Sequence, residues 1–259
     1  MADHTNIFRL DGKVAIVTGS GSGIGRGIAE GIAQFGGSVA LVDVNPQAVE
    51  EVAKGIEAQG GRALPLPCNI TDVNQVKAAV EKTVETFGKI DILVNSAGIG
   101  RRSPAEDMTD EMWDLVIDIN LKGAFLFCRE VGRRMIARGE GGRILNISSI
   151  GGVVGVEIGN ANYSAAKGGM NAMTRTLALE WAKHGITVNA MAPTHTRTPL
   201  IEKLMAEKPE TAQYFLNNIP MGRLAEVGDM VGPAVFLVSE ASGFVTGHIL
   251  LVDGGHTAR

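Results

Sequence analysis

Tyr163 and Lys167 are the residues whose types and spacing first suggest chemistry. They stand four positions apart in the stretch ANYSAAK, so their side chains share one face of a helix. A free tyrosine hydroxyl has a pKa near ~10, but a neighbouring ammonium group stabilises the phenolate and lowers that pKa. The pair therefore suits proton transfer, although the spacing alone fits equally well an exposed polar pair on an ordinary helix.

A serine precedes this pair at the end of a predicted strand. The run GRILNIS has the apolar, β-branched character of a buried strand, and Ser149 follows it, 14 residues before Tyr163. In a parallel α/β sheet, ligands bind at the carboxyl ends of the strands. Ser149 is therefore predicted to lie beside the substrate, with Ser148 as the alternative.

A glycine-rich turn predicts a dinucleotide site. TGSGSGIG, residues 18–25, follows the first predicted strand and opens the first predicted helix, where free N–H groups can bind a pyrophosphate. The second predicted strand ends at Asp43, 18 residues after Gly25 and near the ~20 expected for a carboxylate that binds the adenosine ribose. This carboxylate favours NAD over NADP because it repels a 2′-phosphate. The alternative is that Asp43 only caps the helix beginning near Pro46, a role that Asn45 fills equally well.

The elements that must position these residues alternate along the chain. Helical patterns separate seven short apolar runs, and several runs are apolar on both faces, as in a parallel sheet covered by helices on both sides. We predict an α/β protein: a single doubly wound Rossmann fold with a seven-stranded parallel sheet over residues 11–259, after a loose lead-in at 1–10. The rhythm lapses at about 194–223, which is predicted to be a small helical lid. The runs are KVAIVT, SVALVD, RALPLP, DILVNS, GRILNIS, ITVNAMA and HILLVD, and the helical patterns cover 23–36, 46–60, 72–88, 110–138, 161–184 and 226–239.

Composition excludes several other classes of function. The formal charge of −4 and the pI near 5.8 provide no general field for nucleic acid or anionic membranes. The two cysteines and five histidines fall in no metal-ligand spacing. The N-terminus has no apolar run of signal-peptide length, and no segment reaches the ~18 apolar residues of a bilayer span. We expect a cytoplasmic protein with no metal, nucleic-acid or membrane partner.

Five ordered motifs resemble the short-chain dehydrogenase/reductase family over about residues 11–259. They are TGxxxGIG at 18–25, NSAG at 95–98, Asn120 in NLKG, the serine after NIS, and YSAAK. The resemblance implies hydride transfer between a secondary alcohol and NAD, with Tyr163 as general acid/base. Lys167 would bind the nicotinamide ribose and lower the pKa of the tyrosine, Ser149 would hold the substrate oxygen, and Asn120 would support a water-linked proton relay.

The same resemblance implies which residues contact NAD. Asn69 stands where the family usually has aspartate, Ser96 where it has asparagine or alanine, and Thr194 where glycine follows the proline. Because threonine does not adopt φ > 0 cheaply, we expect the loop after the sixth strand to run a different course. The implied contacts are Gly19, Ser22, Gly23, Ile24, Gly25, Asp43, Asn69, Ile70, Asn95, Ala97, Gly98, Tyr163, Lys167, Thr196 and Thr198.

Basic residues beside the crevice suggest an anionic substrate. Arg101 and Arg102 follow the fourth strand, and His195 and Arg197 follow the sixth. Solvated loop charges or ion pairs between subunits are the alternative. The stretches NSAGIGRR, GPAVFLVSEASGFVTGH and VDGGHTAR resemble the sugar-acid branch of the family, gluconate 5-dehydrogenases and 2-deoxy-gluconate 3-dehydrogenases. The small apolar region 150–162, with Glu157 its only charge, suits a polyol equally well.

Two other activities stay open at this point. A 3-oxoacyl-thioester (acyl carrier protein) reductase shares the fold but usually takes NADPH, which Asp43 disfavours. A non-catalytic NAD-binding sensor would not need the intact set of Asn120, Ser149, Tyr163 and Lys167. The family also implies a homotetramer, paired through the helices at about 110–138 and 161–184 and through the C-terminal segment.

Overall fold

Seven parallel strands form the central sheet, seen in a computed structural model that describes residues 6–156, 159–207 and 210–258. Numbered along the chain, and with two short strands outside this sheet included, the strands are β1 (Val14–Thr18), β2 (Ser38–Asp43), β3 (Arg62–Pro67), β4 (Ile92–Asn95), β5 (Gly142–Ile147), β6 (Ile186–Pro193), β7 (Thr196–Arg197), β8 (Ala225–Glu226) and β9 (Ile249–Val252). The sheet order is β3-β2-β1-β4-β5-β6-β9, while β7 and β8 pair separately. The predicted Rossmann fold is confirmed.

Helices cover both faces of this sheet. Numbered along the chain, the helices are α1 (Gly23–Gln34), α2 (Pro46–Ala58), α3 (Val73–Phe87), α4 (Asp110–Ile117), α5 (Gly123–Arg138), α6 (Ala161–Trp181), α7 (Pro199–Glu207), α8 (Glu210–Asn217) and α9 (Val227–Val238). Of these, α1, α2 and α9 pack on one face of the sheet and α3, α5 and α6 on the other. A π-helical turn, Asp118–Lys122, joins α4 to α5. Local sequence sets several ends: Asp72 caps the start of α3, and Gly88 ends that helix in the left-handed conformation.

The strands are apolar on both faces because each face has its own core. Ala15 and Val17 of β1 pack with α1, α2 and α9, whereas Ile16 between them packs with residues of α3, α5 and α6. Successive side chains of a strand point to opposite faces, so continuous apolar runs are needed to fill both cores.

The last residue of the predicted lead-in is anchored in the fold. Leu10 is buried in the first core, and its N–H donates to the carbonyl of Phe35 at 2.8 Å. The physical reason is that one large apolar side chain fills the end of the α1 layer. Residues 1–5, 157–158, 208–209 and 259 lie outside the described residues, and with them the first half of the lead-in and Glu157.

The predicted lid segment is helical and has a small core of its own. Helices α7 and α8 lie in it, and Phe215, Ile219 and Leu224 are buried together. Across the three described ranges, no helix has the length and apolar character of a membrane span. The same ranges contain no group of three or more His, Cys, Asp or Glu side chains placed to hold a metal ion.

Candidate active site

The candidate site lies where the strand order reverses. Strands β2 and β3 lie on one side of β1, and β4 lies on its other side. The loops that follow β1 and β4 therefore diverge. A cavity of about 620 Å³ opens there, lined by the loops that follow β1 to β6. Small-molecule sites typically measure ~300–1,000 Å³, so this volume suits a cofactor together with a substrate.

The glycine-rich turn after β1 forms a backbone cradle. Gly19 has φ +66°, and a Cβ there would lie 2.7 Å from the Cα of Ala97, so no other residue fits. The side chain of Ser22 makes no capping bond at the start of α1, which leaves the first N–H groups of that helix available to an anion. The cradle fits a pyrophosphate. All five predicted residues of the turn line the cavity: Gly19, Ser22, Gly23, Ile24 and Gly25.

Asp43 faces the same cavity at the end of β2. Its Oδ2 accepts the N–H of Gly21 at 3.0 Å, and its Oδ1 accepts that of Asn45 at 3.0 Å. Asn45 is the residue that caps α2, because its Oδ1 accepts the N–H groups of Gln47 and Ala48 at 3.1 and 3.2 Å. The capping alternative for Asp43 is therefore wrong, and its carboxylate oxygens keep lone pairs for a ligand.

The loop after β3 forms the next wall of the cavity. Asn69 and Ile70, both predicted to contact the cofactor, line it, and the Asn69 carboxamide oxygen accepts the N–H and hydroxyl of Thr71 at 3.0 and 2.9 Å. Cys68 lies beside them, and burial raises the pKa of its thiol to about 11. This thiol is therefore protonated and unreactive at neutral pH.

Asn95 does not reach the cavity, whereas the predicted Ala97 and Gly98 both line it. The pleat of β4 turns Asn95 into the protein, where its Nδ2 donates to Oδ1 of Asn146 at 2.9 Å and lies 3.2 Å from Sγ of Cys128. Asn146 is its partner in β5. The predicted cofactor contact of the Asn95 side chain is corrected to a structural pairing between two strands.

Two side chains hold the loop after β4. The Thr18 hydroxyl accepts the N–H groups of Ser96 and Ala97 at 3.1 and 3.2 Å. Asn120, buried in the π-helical turn, accepts the N–H of Ile99 and donates to its carbonyl, both at 2.8 Å. Its role in a proton relay stays a prediction. Sequence reasoning missed Thr18, although its place at the start of the glycine-rich turn was a usable signal.

Ser149 and Tyr163 meet at the carboxyl end of β5. Their side chains are hydrogen-bonded and both residues line the cavity. The hydroxyl of buried Ser148 instead donates to the carbonyl of Lys167 at 3.4 Å. The geometry therefore favours Ser149 over Ser148 as the residue that holds a substrate oxygen.

Lys167 lies beside the tyrosine on α6. Its Nζ is 5.7 Å from the ring centroid of Tyr163 and donates to the carbonyl of Ile147 at 2.7 Å, while burial lowers its pKa to about 8. Burial raises the pKa of Tyr163, and the groups that oppose this rise are the Ser149 hydrogen bond and the positive charge of Arg102. Ser149 and Arg102 therefore favour the phenolate, and the expected contribution of Lys167 stays a prediction.

The loop after β6 is tied to the C-terminal segment. The N–H of Thr194 donates to the carbonyl of Val252 at 3.3 Å, and its hydroxyl lies 3.1 Å from Nδ1 of His256. No non-glycine residue of the described chain has a positive φ, so Thr194 takes an ordinary backbone conformation in place of the glycine turn. Thr196 and Thr198 line the cavity, and their contact with the cofactor stays a prediction.

Only two of the four predicted substrate residues reach the cavity. Arg102 and His195 line it. Arg101 is exposed and donates to a neighbouring backbone carbonyl, and Arg197 pairs with Glu226 at 3.0 Å. Both side chains extend from the outer side of their loops, so the expectation for Arg101 and Arg197 is corrected.

Comparison with known proteins gives matches over nearly the whole chain. A family model described as enoyl-(acyl carrier protein) reductase matches residues 19–257. The 2-dehydro-3-deoxy-D-gluconate 5-dehydrogenase of Dickeya dadantii is 42% identical over 254 residues, with 98% of this chain and 99% of that protein covered. The 3-oxoacyl-(acyl-carrier-protein) reductase of Thermotoga maritima is 41% identical over 248 residues, with 96% and 99% covered. The crystal structure of a gluconate 5-dehydrogenase from Burkholderia cenocepacia in complex with NADP and tartrate has a TM-score of 0.93 at 35% identity, with 98% of each chain covered.

Proposed function

The chain belongs to the short-chain dehydrogenase/reductase family, as its motifs suggested, and we propose that it uses NAD to oxidise a secondary alcohol group of a sugar acid. The observation that carries the proposal is one cavity that has the Ser149–Tyr163 pair and Arg102 at one end and Asp43 at the other. The end with Ser149, Tyr163 and Arg102 suits the oxidation of an alcohol group in an anionic substrate. The end with Asp43 suits the adenosine of NAD, which has no 2′-phosphate.

Each residue around the reacting oxygen has a separate role in the proposed reaction. When bound, NAD supplies the acceptor for the hydride that leaves the alcohol carbon. Ser149 holds the substrate oxygen, and Tyr163 accepts the hydroxyl proton as general base. The buried ammonium of Lys167 would hold the nicotinamide ribose. Burial raises the pKa of Tyr163, and the charge of Arg102 opposes that rise.

The preference for NAD rests on the surroundings of Asp43. Within the described ranges, the cavity-lining cations are Arg102 and Lys167, on the loop after β4 and on α6, and neither belongs to the loop after β2. The residue after Asp43 is Val44, which is largely exposed. A 2′-phosphate would therefore meet a carboxylate without a compensating guanidinium. The crystal structure of the related gluconate 5-dehydrogenase contains NADP, so the preference for NAD is proposed for this chain from Asp43 and not from that relative.

The anionic substrate rests on Arg102. Among the described residues this guanidinium has no ion-pair partner, and burial lowers its pKa while Tyr163 opposes the shift. A guanidinium binds a carboxylate bidentately, and such pairs are stronger than neutral hydrogen bonds. The relatives named 2-dehydro-3-deoxy-D-gluconate 5-dehydrogenase and gluconate 5-dehydrogenase, and the tartrate in one structure, support a substrate that carries a carboxylate.

The neighbouring arginine provides a matched control for this proposal. Initial rates of NADH formation would be measured with a six-carbon aldonate and with the alditol of the same carbon chain, for the wild type, Arg102→Gln and Arg101→Gln. In Arg102→Gln, loss of a charge-assisted contact should lower kcat/KM for the acid roughly 10- to 100-fold more than for the alditol, because the alditol loses only the effect of Arg102 on the pKa of Tyr163. Arg101→Gln should match the wild type. Equal losses on both substrates, or none, would contradict an anion at Arg102.

A 3-oxoacyl-(acyl-carrier-protein) reductase is the second candidate, because one relative of that name is 41% identical. Asp43 disfavours it, since those enzymes usually take NADPH. Adding a 3-oxoacyl thioester with NADH and NADPH to the same assay distinguishes the two activities. Binding of NADH without turnover on any substrate would instead indicate a sensor.

We also propose that the segment 194–223 closes over the substrate and that the chains form a homotetramer. Support for the lid comes from Pro199 and Ile201 of α7, which line the cavity. Support for association comes from two apolar side chains that are exposed to solvent in a single chain: Leu179 on α6, at 82% exposure, and Phe244 before β9, at 105%. Light scattering would measure the mass of the assembly.

A further inference from the structure

One side chain in the substrate end of the cavity has a fixed orientation. The ring of His195 stacks on that of Phe215, with centroids 3.5 Å apart and planes 19° apart. Phe215 is fully buried in the small core of the lid segment, with Ile219 and Leu224. The stack therefore holds one face of the imidazole and leaves the ring edge, which carries both nitrogens, for other contacts.

The imidazole nitrogens of His195 make no hydrogen bond to any residue in 6–156, 159–207 or 210–258. His256 differs, since its Nδ1 lies 3.1 Å from the hydroxyl of Thr194. His195 is partly buried and lines the cavity, so its ring edge is open to a molecule bound there.

His195 is neutral at physiological pH. Burial, and next the charges of His256 and Arg102, lower its pKa to about 4. The positive charge that the sequence suggested at this position is therefore absent. A neutral imidazole has one N–H donor and one nitrogen acceptor, which match a hydroxyl group, whereas a carboxylate only accepts.

The position of Arg102 links His195 to the reacting end of the cavity. Its charge influences the pKa of both Tyr163 and His195, so it lies within electrostatic reach of both. A sugar acid that has its reacting oxygen at Ser149 and Tyr163 and its carboxylate at Arg102 carries further hydroxyl groups, and His195 borders the same space.

We propose that His195 is a specificity-determining residue that hydrogen-bonds a substrate hydroxyl group other than the one being oxidised. The cavity then selects polyhydroxylated chains over chains that lack this hydroxyl. The inference rests on the proposed function, because it takes an alcohol held by Ser149 and Tyr163 as its starting point.

Two substitutions separate hydrogen bonding from packing. His195→Phe keeps an aromatic ring for the stack on Phe215 and removes both nitrogens. His195→Gln keeps a donor and an acceptor and removes the ring. Each variant would be assayed with the sugar acid or polyol that the wild type oxidises best and with the set of its mono-deoxy derivatives, and NADH affinity would be measured by fluorescence titration.

We expect His195→Phe to lose the preference, measured as kcat/KM, for a substrate that carries one particular hydroxyl group. In the wild type, one deoxy derivative should have kcat/KM roughly 10- to 100-fold below the parent. In His195→Phe the parent should fall to the level of that derivative, the derivative itself should be unchanged, and NADH affinity should stay the same. His195→Gln should restore part of the discrimination.

Other outcomes overturn the inference. If His195→Phe lowers kcat/KM for the parent and all deoxy derivatives by one factor, the residue only supports the structure. If the variant keeps the discrimination of the wild type, the hydroxyl is bound elsewhere. If the wild type oxidises no polyhydroxylated compound, the proposed function fails first, and that result is visible before any variant is compared.

Discussion

Replacing Asp43 by Asn should change the choice of cofactor more than any other single substitution. The two carboxylate oxygens each accept one backbone N–H at 3.0 Å, so each can accept a further bond from a ribose hydroxyl. Such charge-assisted bonds contribute about 1.5–3 kcal/mol. A 2′-phosphate about 4 Å away would add repulsion of about 1 kcal/mol per unit charge in water and more where water is excluded. Together these terms predict at least a roughly 100-fold preference for NAD in kcat/KM.

The assay is the rate of absorbance change at 340 nm with NAD and with NADP, at saturating substrate. Asp43→Asn removes the negative charge, so the preference should fall to within roughly tenfold, with part of the change being a loss of NAD efficiency. Glu85→Gln is the matched control, because it removes one exposed carboxylate of α3 that pairs only at the surface with Lys82. A wild type that uses NADP as well as NAD, or an Asp43→Asn variant with an unchanged ratio, would refute the reasoning.

Two further predictions concern stability. A Cβ on Gly152 would lie 2.6 Å from the carbonyl carbon of Lys167, so Gly152→Ala should lower Tm by about 2–12 °C, from overpacking of about 1–3 kcal/mol. Gly155→Ala should leave Tm unchanged, because an added Cβ there meets no atom within 4 Å. Equal Tm values for the two variants would contradict the close packing of Gly152. Since the pKa of His195 falls from 6.5 to about 4 on folding, its contribution to stability is complete above pH 6.5 and is lost as the pH falls through 4. As the pH falls from 6.5 to 4, the free energy of unfolding of the wild type, measured with urea, should fall by up to about 3 kcal/mol more than that of His195→Phe. Parallel profiles of the free energy of unfolding against pH for the two proteins would contradict a neutral imidazole.

The sequence predicted best those features that depend on local pattern. The glycine-rich turn, Asp43 at the end of β2, and the pair of Tyr163 and Lys167 on α6 depend on short motifs in a regular alternation of strands and helices. The direction of the Asn95 side chain could not be predicted, because β4 is buried on both faces and has no polar and apolar alternation to mark the inner side.

Properties that arise from tertiary contacts were also out of reach. Arg101 and Arg102 are adjacent in the chain, and only the course of the loop places one in the cavity and the other in solvent. The charge state of His195 depends on burial and on the charges of His256 and Arg102, which are far from it along the chain. Sequence spacing contains no record of such contacts.

The most direct test of the central claim compares the wild type with Tyr163→Phe in the oxidation of sugar acids at 340 nm, with NADH affinity measured in parallel. The cavity geometry predicts NADH formation by the wild type and none above background by Tyr163→Phe, while both proteins bind NADH with similar affinity. Turnover by Tyr163→Phe comparable to that of the wild type would contradict the assignment of Tyr163 as the acid/base.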